Sequence, residues 1–251
     1  MSTERFTGKA DIYKKFRPGY PKEFIDYLYT QAGFSKESVI ADIGSGTGIF
    51  SRLLLERGSR VCCVEPNGDM RRTAERDLSE FENFFSINAL ADNTGLPENS
   101  IDLVTAAQAF HWFDRHTFKS ECRRILKYGG KVVLVWNIRD HEHEIIKKDH
   151  IIRARYCVDT KGLGESGGPP KDIGDFFMDK ACEVKIFRND LQSDKEGYIG
   201  RNLSASYAPK EDLHPEKYRG FVEELTALFD EYSINGKMDF PHFTQSFVGT
   251  V

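Results

Sequence analysis

The chain carries VIADIGSGTG at residues 39–48, and this stretch decides the fold. Its first half, Val39–Ile43, is a short apolar run that predicts a buried strand. Glycines follow at positions 44, 46 and 48, and a helical stretch, Ile49–Arg57, begins directly after them. Because glycine has no side chain, the backbone there can turn sharply and approach a ligand closely, while the helix start leaves N–H donors free. The stretch therefore predicts a strand, a ligand-binding loop and a helix in that order.

The same alternation of strand and helix continues along the chain. Further predicted strands are 61–64, 84–87, 101–106, 131–136, 182–187 and 243–248. Predicted helices are 21–31, 69–78, 115–126, 143–157 and 218–232. Alternating strands and helices predict an α/β fold with a mostly parallel sheet covered on both faces. In such sheets ligands bind beyond the carboxyl ends of the strands, where the strand order reverses.

Composition excludes several classes of protein. The length of 251 residues suits one domain, or a core with a cap. The net charge of -4 comes from 35 basic and 39 acidic residues that are mixed along the sequence, which counts against a nucleic-acid partner. No apolar run is long enough to span a membrane, and the start MSTERFTGKA lacks the apolar core of a secretory signal. We therefore expect a cytoplasmic protein with no membrane or nucleic-acid partner.

Glu65 narrows the choice of ligand. It follows the second predicted strand, where a carboxylate can accept both hydroxyls of a ribose. A dinucleotide fingerprint would need glycine at position 49, which is Ile49. Together, Asp42, the glycine spacing and Glu65 favour a nucleoside ligand other than a dinucleotide. A nicotinamide-dependent dehydrogenase and a tight turn without any ligand are the two alternatives.

The residues quoted so far resemble those of the class I S-adenosylmethionine-dependent methyltransferases, whose first motif matches ADIGSGTG at 41–48. The chain is also similar to the small-molecule branch of that family typified by trans-aconitate methyltransferase. This closer similarity rests on FRPGYP at 16–21, GLPENSIDLVTAAQAFHWFD at 95–114, ECRRILKYGGKVVLVWN at 121–137 and, more weakly, SASYAP at 204–209. The resemblance implies a Rossmann-like seven-stranded, mostly parallel sheet with helices on both faces. It implies one methyltransferase domain over 1–251: an N-terminal helical lid at 1–34, a cofactor-binding core at 35–137, and a cap insertion plus final strands at 138–251.

The resemblance also implies which residues hold S-adenosyl-L-methionine, the expected cofactor. Gly44 and Gly46 would border its methionine portion, Glu65 its ribose, and Met70 the adenine face. The full set of expected cofactor-binding residues is Tyr13, Arg17, Tyr20, Asp42, Gly44, Ser45, Gly46, Glu65, Asn67, Met70, Ala91 and Gln108. Many members of the family have aspartate at position 90 to receive the adenine amino group. This chain has Leu90 there, with Asp92 as the substitute acid.

His111 is the candidate catalytic residue, because a base that titrates near neutral pH is what proton removal from an acceptor requires. The alternative is a histidine that shapes the pocket floor, and an ionised carboxylate acceptor would need no base. In the expected cap, the residues that would face the substrate are Tyr198, Arg201, Ser204, Ser206 and Tyr207. Arg201 and Tyr207 are the two candidate substrate-binding residues. The cluster of His141, Glu142, His143 and His150 suggests an exposed helix face, and we predict no metal.

These observations predict methyl transfer to a small molecule, with O-methylation of a carboxylic acid as the leading hypothesis. The alternatives are C- or N-methylation of a natural-product or quinone-like substrate, with His111 as base, and a non-catalytic protein that binds the cofactor. Both a monomer and a homodimer are compatible with the sequence.

Overall fold

The computed structural model describes residues 19–157, 168–205 and 207–251. The strands in these residues are β1 (Val39–Ile43), β2 (Arg60–Val64), β3 (Phe84–Ile87), β4 (Ile101–Ala107), β5 (Leu126–Arg139), β6 (Glu183–Arg188), β7 (Leu191–Ser193), β8 (Met238–Phe240) and β9 (His242–Gly249). The helices are α1 (Lys22–Thr30), α2 (Ile49–Leu55), α3 (Gly68–Asp77), α4 (Arg115–Ile125), α5 (Glu144–Tyr156), α6 (Lys195–Leu203) and α7 (Pro215–Tyr232).

Seven strands form one sheet in the spatial order β3-β2-β1-β4-β5-β9-β6. The first five pair in parallel, and β9 runs antiparallel to both β5 and β6. The chain moves outward from β1 to β3 and then returns to β4 on the other side of β1, so the strand order reverses between β1 and β4. The predicted fold class, a seven-stranded mostly parallel sheet, is confirmed, and the crevice for a ligand lies at the carboxyl ends of these two strands.

Each predicted strand is present, although β5 is longer than the predicted 131–136. Helix α6 and the separate two-stranded sheet of β7 and β8 were not predicted. Two glycines, Gly197 and Gly200, lower the helix propensity of α6, which hid the helix in the sequence. It forms because Asp194 caps its start by accepting the Gly197 N–H at 2.8 Å, and because Tyr198 is fully buried against the cap.

The core has two layers, one on each face of the sheet. Along β5, Val132 and Leu134 point into one layer, while Val133 and Val135 point into the other. Helix α4 packs on the first layer, and α1, α2 and α3 pack on the second. Burial on both faces explains why these strands are continuous apolar runs rather than alternating ones.

Helix α1 is the described helix of the lid expected at 1–34. In α1, Phe24 and Leu28 are fully buried in the second core layer, so this helix is part of the core and not a cover over it. Tyr13 and Arg17, the other expected lid residues, lie outside the described residues. Gly19 and Tyr20 stand at the carboxyl edge of the sheet, where the Gly19 carbonyl accepts hydrogen bonds from Asn137 and Asn189, both at 3.1 Å.

A third apolar cluster forms a cap from α5, α6, α7 and the β7–β8 pair. It begins where β5 ends, because Arg139 of β5 pairs with His242 at the start of β9, and α5 follows five residues later. The cap therefore stands at the same edge of the sheet as the β1–β4 crevice. None of the helices in the described residues has the length and apolar character needed to cross a membrane.

Candidate active site

The glycine loop between β1 and α2 adopts a backbone conformation that L side chains rarely take. Gly44, Gly46 and Gly48 have φ angles of +68°, +57° and +79°. The loop is anchored to the neighbouring strand, since the N–H groups of Gly44 and Ser45 donate to the Val64 carbonyl at 2.8 and 3.2 Å. Glycine removes the steric penalty of the left-handed region, so the sequence can hold this bend without strain.

The three glycines differ in what surrounds them. A Cβ on Gly44 would come within 2.6 Å of the Ala109 Cβ, and one on Gly48 within 2.6 Å of a Leu78 methyl carbon. A Cβ on Gly46 would meet only the Met70 sulfur, at 3.7 Å. Gly44 and Gly48 therefore allow close packing within the protein, whereas Gly46 faces the open part of the crevice.

Asp42 lies behind the loop. Its carboxylate is buried and accepts hydrogen bonds from Ser51 at 2.5 Å and from Thr105 at 2.8 Å, one on each oxygen. These contacts join β1 to α2 and to β4, directly beneath the crevice. Burial raises the pKa of Asp42 to about 6, although the two hydroxyls oppose the shift. Asp42 therefore stabilises the position of the loop from below.

Glu65 closes the other side of the loop. Its Oε2 accepts the Gly46 N–H at 3.0 Å, and its Oε1 accepts the Asn67 N–H at 2.8 Å. Burial raises the pKa of Glu65, and the N–H donors of Asn67 and Gly46 oppose that shift. Asn67 in turn caps α3, because its Oδ1 accepts the N–H groups of Asp69 and Met70 at 3.1 and 3.0 Å. The carboxylate is thus held beside the open glycine by backbone groups alone.

The segment after β3 forms the far wall of the crevice. Leu90 is 46% exposed and bridges to Asn93, while Ala91 packs against the core. The segment is fixed from below by Glu121, whose Oε1 accepts both the N–H and the hydroxyl of Thr94, at 2.8 and 2.5 Å. Asp92 is exposed. The side chain of Leu90 is therefore an apolar part of this surface, where the methyltransferases that the sequence resembles have an acid.

Gln108 marks the end of β4. It is one of the few non-glycine residues with a left-handed backbone, at φ +57°, and its Nε2 donates to the Asn137 carbonyl at 3.0 Å. The Asn137 Oδ1 accepts from Thr244 at 2.6 Å and from Asn189 at 3.1 Å. This polar network ties the ends of β4, β5 and β9 together, and Gly19 completes it from the N-terminal side. The sequence predicted Gln108 as a site residue, but its hydrogen-bond partners depend on the pairing of the strands in the structure.

His111 and Trp112 lie on a short 3-10 helix, Phe110–Trp112, that follows β4. The two rings are neighbours with centroids 4.8 Å apart, and both residues are exposed. Trp112 is 41% exposed, and Phe110 is the buried residue of this turn. Phe113 closes the other side by packing next to Gly44.

Tyr20 stands beside the same crevice. Its ring packs edge-on against Phe50 of α2, with centroids 4.9 Å apart. Phe50 belongs to the first turn of the helix that the glycine loop opens. The side chain of Tyr20 is therefore at the loop, where the sequence placed it.

The cap residues occupy a charged cluster. Arg201 is largely enclosed and its guanidinium carbon lies 4.6 Å from the centre of the Phe240 ring. The hydroxyl of Tyr207 accepts a long hydrogen bond of 3.4 Å from Arg153, and Tyr198 is fully buried. Ser206 lies outside the described residues. Arg139 is a member of this cluster that the sequence did not indicate, because only the ladder of β5 with β9 carries it into the cap.

Among residues 19–157, 168–205 and 207–251, no three His, Cys, Asp or Glu side chains form a group that could hold a metal ion. His143 of the predicted exposed face caps α5 instead, since its Nδ1 accepts the Ile145 N–H at 3.3 Å.

A comparison with known protein families finds a match over the core of this site. Residues 41–134 match the profile of a family described as "Methyltransferase domain". This range contains the glycine loop, Glu65 and the turn that carries His111. Over these residues the chain is therefore similar to that family.

Curated relatives resemble the methyltransferase domain over the same part of the chain. An uncharacterized methyltransferase of Mycobacterium bovis is 36% identical over 135 residues, which are 54% of this chain and 53% of that protein. An uncharacterized methyltransferase-like protein of Schizosaccharomyces pombe is 33% identical over 157 residues, 61% of this chain and 60% of that protein. The chain thus spans about half the length of the Mycobacterium relative that it matches.

Solved structures extend the likeness in fold beyond the methyltransferase domain. A structure described as a type II methyltransferase from Anaeromyxobacter dehalogenans has a TM-score of 0.66 and 23% identity, and covers 94% of this chain and 98% of its own. A second, assigned to antibiotic biosynthesis in Anabaena variabilis, has a TM-score of 0.65 and 21% identity, with 92% and 98% covered. At these identities the likeness concerns the fold.

The residues of the methyltransferase domain fit S-adenosylmethionine, the cofactor of this class. Of the described residues, Met70 alone comes within 4 Å of a Cβ built on Gly46, so they leave room for a ligand to lie against the main chain. Glu65 offers a carboxylate beside that space, although both oxygens already accept one backbone N–H each. Each carboxylate oxygen has a second lone pair, so two hydroxyl donors can still be accepted.

Proposed function

We propose that this chain is an S-adenosylmethionine-dependent methyltransferase that O-methylates a carboxylic acid on a small molecule. The observation that carries the proposal is the open position in front of Gly46, bordered by Met70 and by the Glu65 carboxylate. When bound, S-adenosylmethionine supplies an activated methyl group. The task of the protein is then to hold two reactants in line and to keep water out.

The residues around the crevice are suited to that task. Glu65 and Gly46 would hold the nucleoside, and Tyr20 would cover it from the α2 side. Alignment of two bound reactants supplies about 7–11 kcal/mol of the barrier through effective molarity, without any acid or base. A carboxylate acceptor is already ionised at neutral pH, so the reaction needs no group to remove a proton.

Positive charge at the same edge of the sheet favours an acidic acceptor. Arg201 carries a guanidinium nitrogen, Nη2, that is buried and lacks a hydrogen-bond partner in the described residues. Arginine matches the planar geometry of a carboxylate with two parallel N–H donors.

The second candidate is C- or N-methylation with His111 as the base. It is supported by the exposed position of the His111 ring beside Trp112 at the end of β4. The third is a protein that binds the cofactor without catalysis, which Leu90 in the adenine wall favours. Binding of NAD would support the dehydrogenase alternative.

The test uses the purified chain with S-adenosylmethionine that carries a labelled methyl group, and a panel of small mono- and dicarboxylic acids. We expect labelled products that release methanol on mild alkaline treatment, because a methyl ester is hydrolysed while a C- or N-methyl group is not. Glu65→Ala serves as the inactive control. Alkali-stable label would refute O-methylation and support the second candidate. Calorimetric binding of S-adenosylhomocysteine without any transfer would favour the non-catalytic alternative, and binding of neither cofactor form would exclude the methyltransferase itself.

A further inference from the structure

In the described residues the cap holds a cluster in which arginines outnumber carboxylates. Arg139, Arg153 and Arg201 come from β5, α5 and α6, and Asp149 of α5 is the carboxylate among them. Asp149 is fully buried and Arg153 is 4% exposed. Three guanidinium groups against one carboxylate leave an excess of positive charge inside the cap.

Asp149 accepts one hydrogen bond on each of its carboxylate oxygens. Its Oδ2 accepts from the Arg153 Nε at 2.7 Å, and its Oδ1 accepts from the Tyr198 hydroxyl at 2.8 Å. Burial alone would raise the pKa of Asp149, but Arg153 and Arg139 hold it below its ordinary value. The Arg153–Asp149 pair is thus a satisfied ion pair, and it leaves the other two arginines without a partner of their own.

Within the described residues the buried Nη2 of Arg201 has no hydrogen-bond partner, and Arg139 interacts with Asp149 through space without forming a salt bridge. Both stand over the Phe240 ring, with guanidinium carbons 5.8 and 4.6 Å from its centre. Burial and the neighbouring Arg139 lower the pKa of Arg201 to about 10, so it remains charged at neutral pH. An uncompensated buried charge is costly, and its occurrence in a cleft is typical of a functional site.

Within the described part of the chain, His242 does not relieve this charge. His242 contacts the cluster from β9 and bonds the Phe240 carbonyl at 2.8 Å. Burial, Arg201 and Arg139 lower the pKa of His242 to about 3, although its bond to Phe240 opposes the shift, so it is neutral at neutral pH. The excess charge on Arg139 and Arg201 is therefore available to an anion from outside.

The location links this pair to the methyl-transfer site. Arg139 lies two residues after Asn137 on the same face of β5, and the Asn137 carbonyl accepts from Gln108 at the end of β4. Only β4 separates β5 from β1, so the two strands are about 10 Å apart. A small molecule can therefore span from the glycine loop to the arginines.

We propose that Arg139 and Arg201 bind a carboxylate of the methyl acceptor that is remote from the atom receiving the methyl group. A carboxylate clamped by two guanidinium groups shares its lone pairs with N–H donors and is a poor nucleophile, so the clamped group is not the one that reacts. The Phe240 ring lies within about 6 Å of both guanidinium carbons, so it can hold the two cations near each other through cation–π contact. This inference rests on the proposed function where it identifies the bound molecule as the methyl acceptor. The existence of an anion site does not depend on that function.

The test measures binding and not activity. The probes are succinate, glutarate and tricarballylate, with butyrate as the single-charge control and inorganic phosphate as a competing anion. They are titrated into the chain saturated with S-adenosylhomocysteine, at constant ionic strength, and followed by the side-chain Nε–H signals of ¹⁵N-labelled arginine. Arg139→Gln and Arg201→Gln identify the signals and serve as the loss-of-site variants. The matched control is Arg155→Gln, since Arg155 is an exposed residue of α5 that pairs with Glu224.

We expect at least one of the di- or tricarboxylates to shift the Arg139 and Arg201 signals. Each glutamine variant should weaken that binding at least tenfold, while Arg155→Gln should leave it unchanged. Retained binding of S-adenosylhomocysteine in all variants shows that they are folded. If no carboxylate moves these signals, or if phosphate binds as tightly as every acid, the inference fails, even though the binding of S-adenosylhomocysteine would leave the proposed function standing.

Discussion

Gly46 donates its backbone N–H to Glu65 Oε2 at 3.0 Å, and this bond links the loop after β1 to the acid that follows β2. It places a carboxylate at the side of the only loop glycine whose front is open. The Asn67 N–H holds the second oxygen at 2.8 Å. The candidate nucleoside site is therefore preformed by backbone donors, and its first prediction concerns the acid.

Replacing Glu65 by Ala should weaken binding of S-adenosylhomocysteine by about two to four orders of magnitude. Hydrogen bonds to a charged acceptor contribute about 1.5–3 kcal/mol each, and a ribose offers two such donors. Isothermal titration calorimetry measures the change. Glu56→Gln, an exposed change at the end of α2, is the control and should leave the affinity as it is. Equal affinity in Glu65→Ala and the unaltered chain would exclude Glu65 from the cofactor site.

Alanine at Gly44 and at Gly46 should have different consequences. The Cβ of Gly44→Ala would collide with Ala109, and overpacking together with a left-handed backbone costs about 2–4 kcal/mol of unfolding free energy. Gly46→Ala meets only Met70 at 3.7 Å, so it should lose about 1 kcal/mol of stability from its backbone angle but most of its cofactor affinity. Urea unfolding and calorimetry together separate the two. A stability loss as large in Gly46→Ala as in Gly44→Ala would contradict the division of roles.

The pKa of Asp42 predicts a pH dependence of stability. Burial raises this pKa to about 6, above the ordinary value of 3.8, so the protonated carboxyl is favoured in the folded state. Its contribution to stability is complete below about pH 4 and is lost as the pH rises through 6. Relative to Asp42→Asn, which cannot ionise, the unaltered chain should therefore lose about 3 kcal/mol between pH 3.5 and pH 7.5.

Urea unfolding of both proteins at several pH values measures that difference. Asp26→Asn is a control in which stability should change with pH in the opposite direction. Hydrogen bonds from Lys22 and Arg57 lower the pKa of the exposed Asp26 carboxyl. Stabilisation by Asp26 should be present at neutral pH and disappear as the medium becomes acidic. A stability difference between Asp42→Asn and the parent that does not change from pH 4 to pH 7 would show that Asp42 titrates normally.

His111→Gln distinguishes the proposed acceptor from its rival. If the acceptor is a carboxylate, kcat should change by less than about threefold, because no proton has to be removed, whereas loss of a general base lowers rates by roughly 10²–10⁴. The pH profile of kcat, compared between the two proteins, is the second readout. A large fall in kcat with unchanged cofactor affinity would support C- or N-methylation.

Asp149→Asn should destabilise the cap. It leaves Arg153 as an uncompensated buried cation beside two others, and breaking a buried ion pair in this way costs about 3–5 kcal/mol. Thermal and urea unfolding measure the loss. Glu224→Gln, which breaks a more exposed pair with Arg155, should lose less than about 1 kcal/mol. Equal losses in both variants would mean that the cap cluster is not held by its buried acid.

Much of this architecture follows from local pattern. Strand β1 and strand β3 lie where the apolar runs predicted them, and the glycine spacing led to the loop and to Glu65 without any structure. Helix α6 was not predicted because Gly197 and Gly200 lower its helix propensity. Burial of its side chains in the cap stabilises the helix instead. The sequence did not indicate that Phe24 and Leu28, within the lid expected at 1–34, are buried in the core, because their burial depends on the face of the sheet that they meet.

The amino-acid order by itself determined the strands, the bend at Gly44–Gly48 and the presence of an acid after the second strand, because each depends on neighbours a few residues away. Only the tertiary structure decided that Asp42 supports the loop, that Gly46 alone faces open space, and that Arg139 joins Arg201 over Phe240. These relationships arise from strand pairing between segments far apart in the chain, such as β5 with β9. Strand pairing removes water from around these charged groups, and a local sequence pattern does not show which charges lose their water.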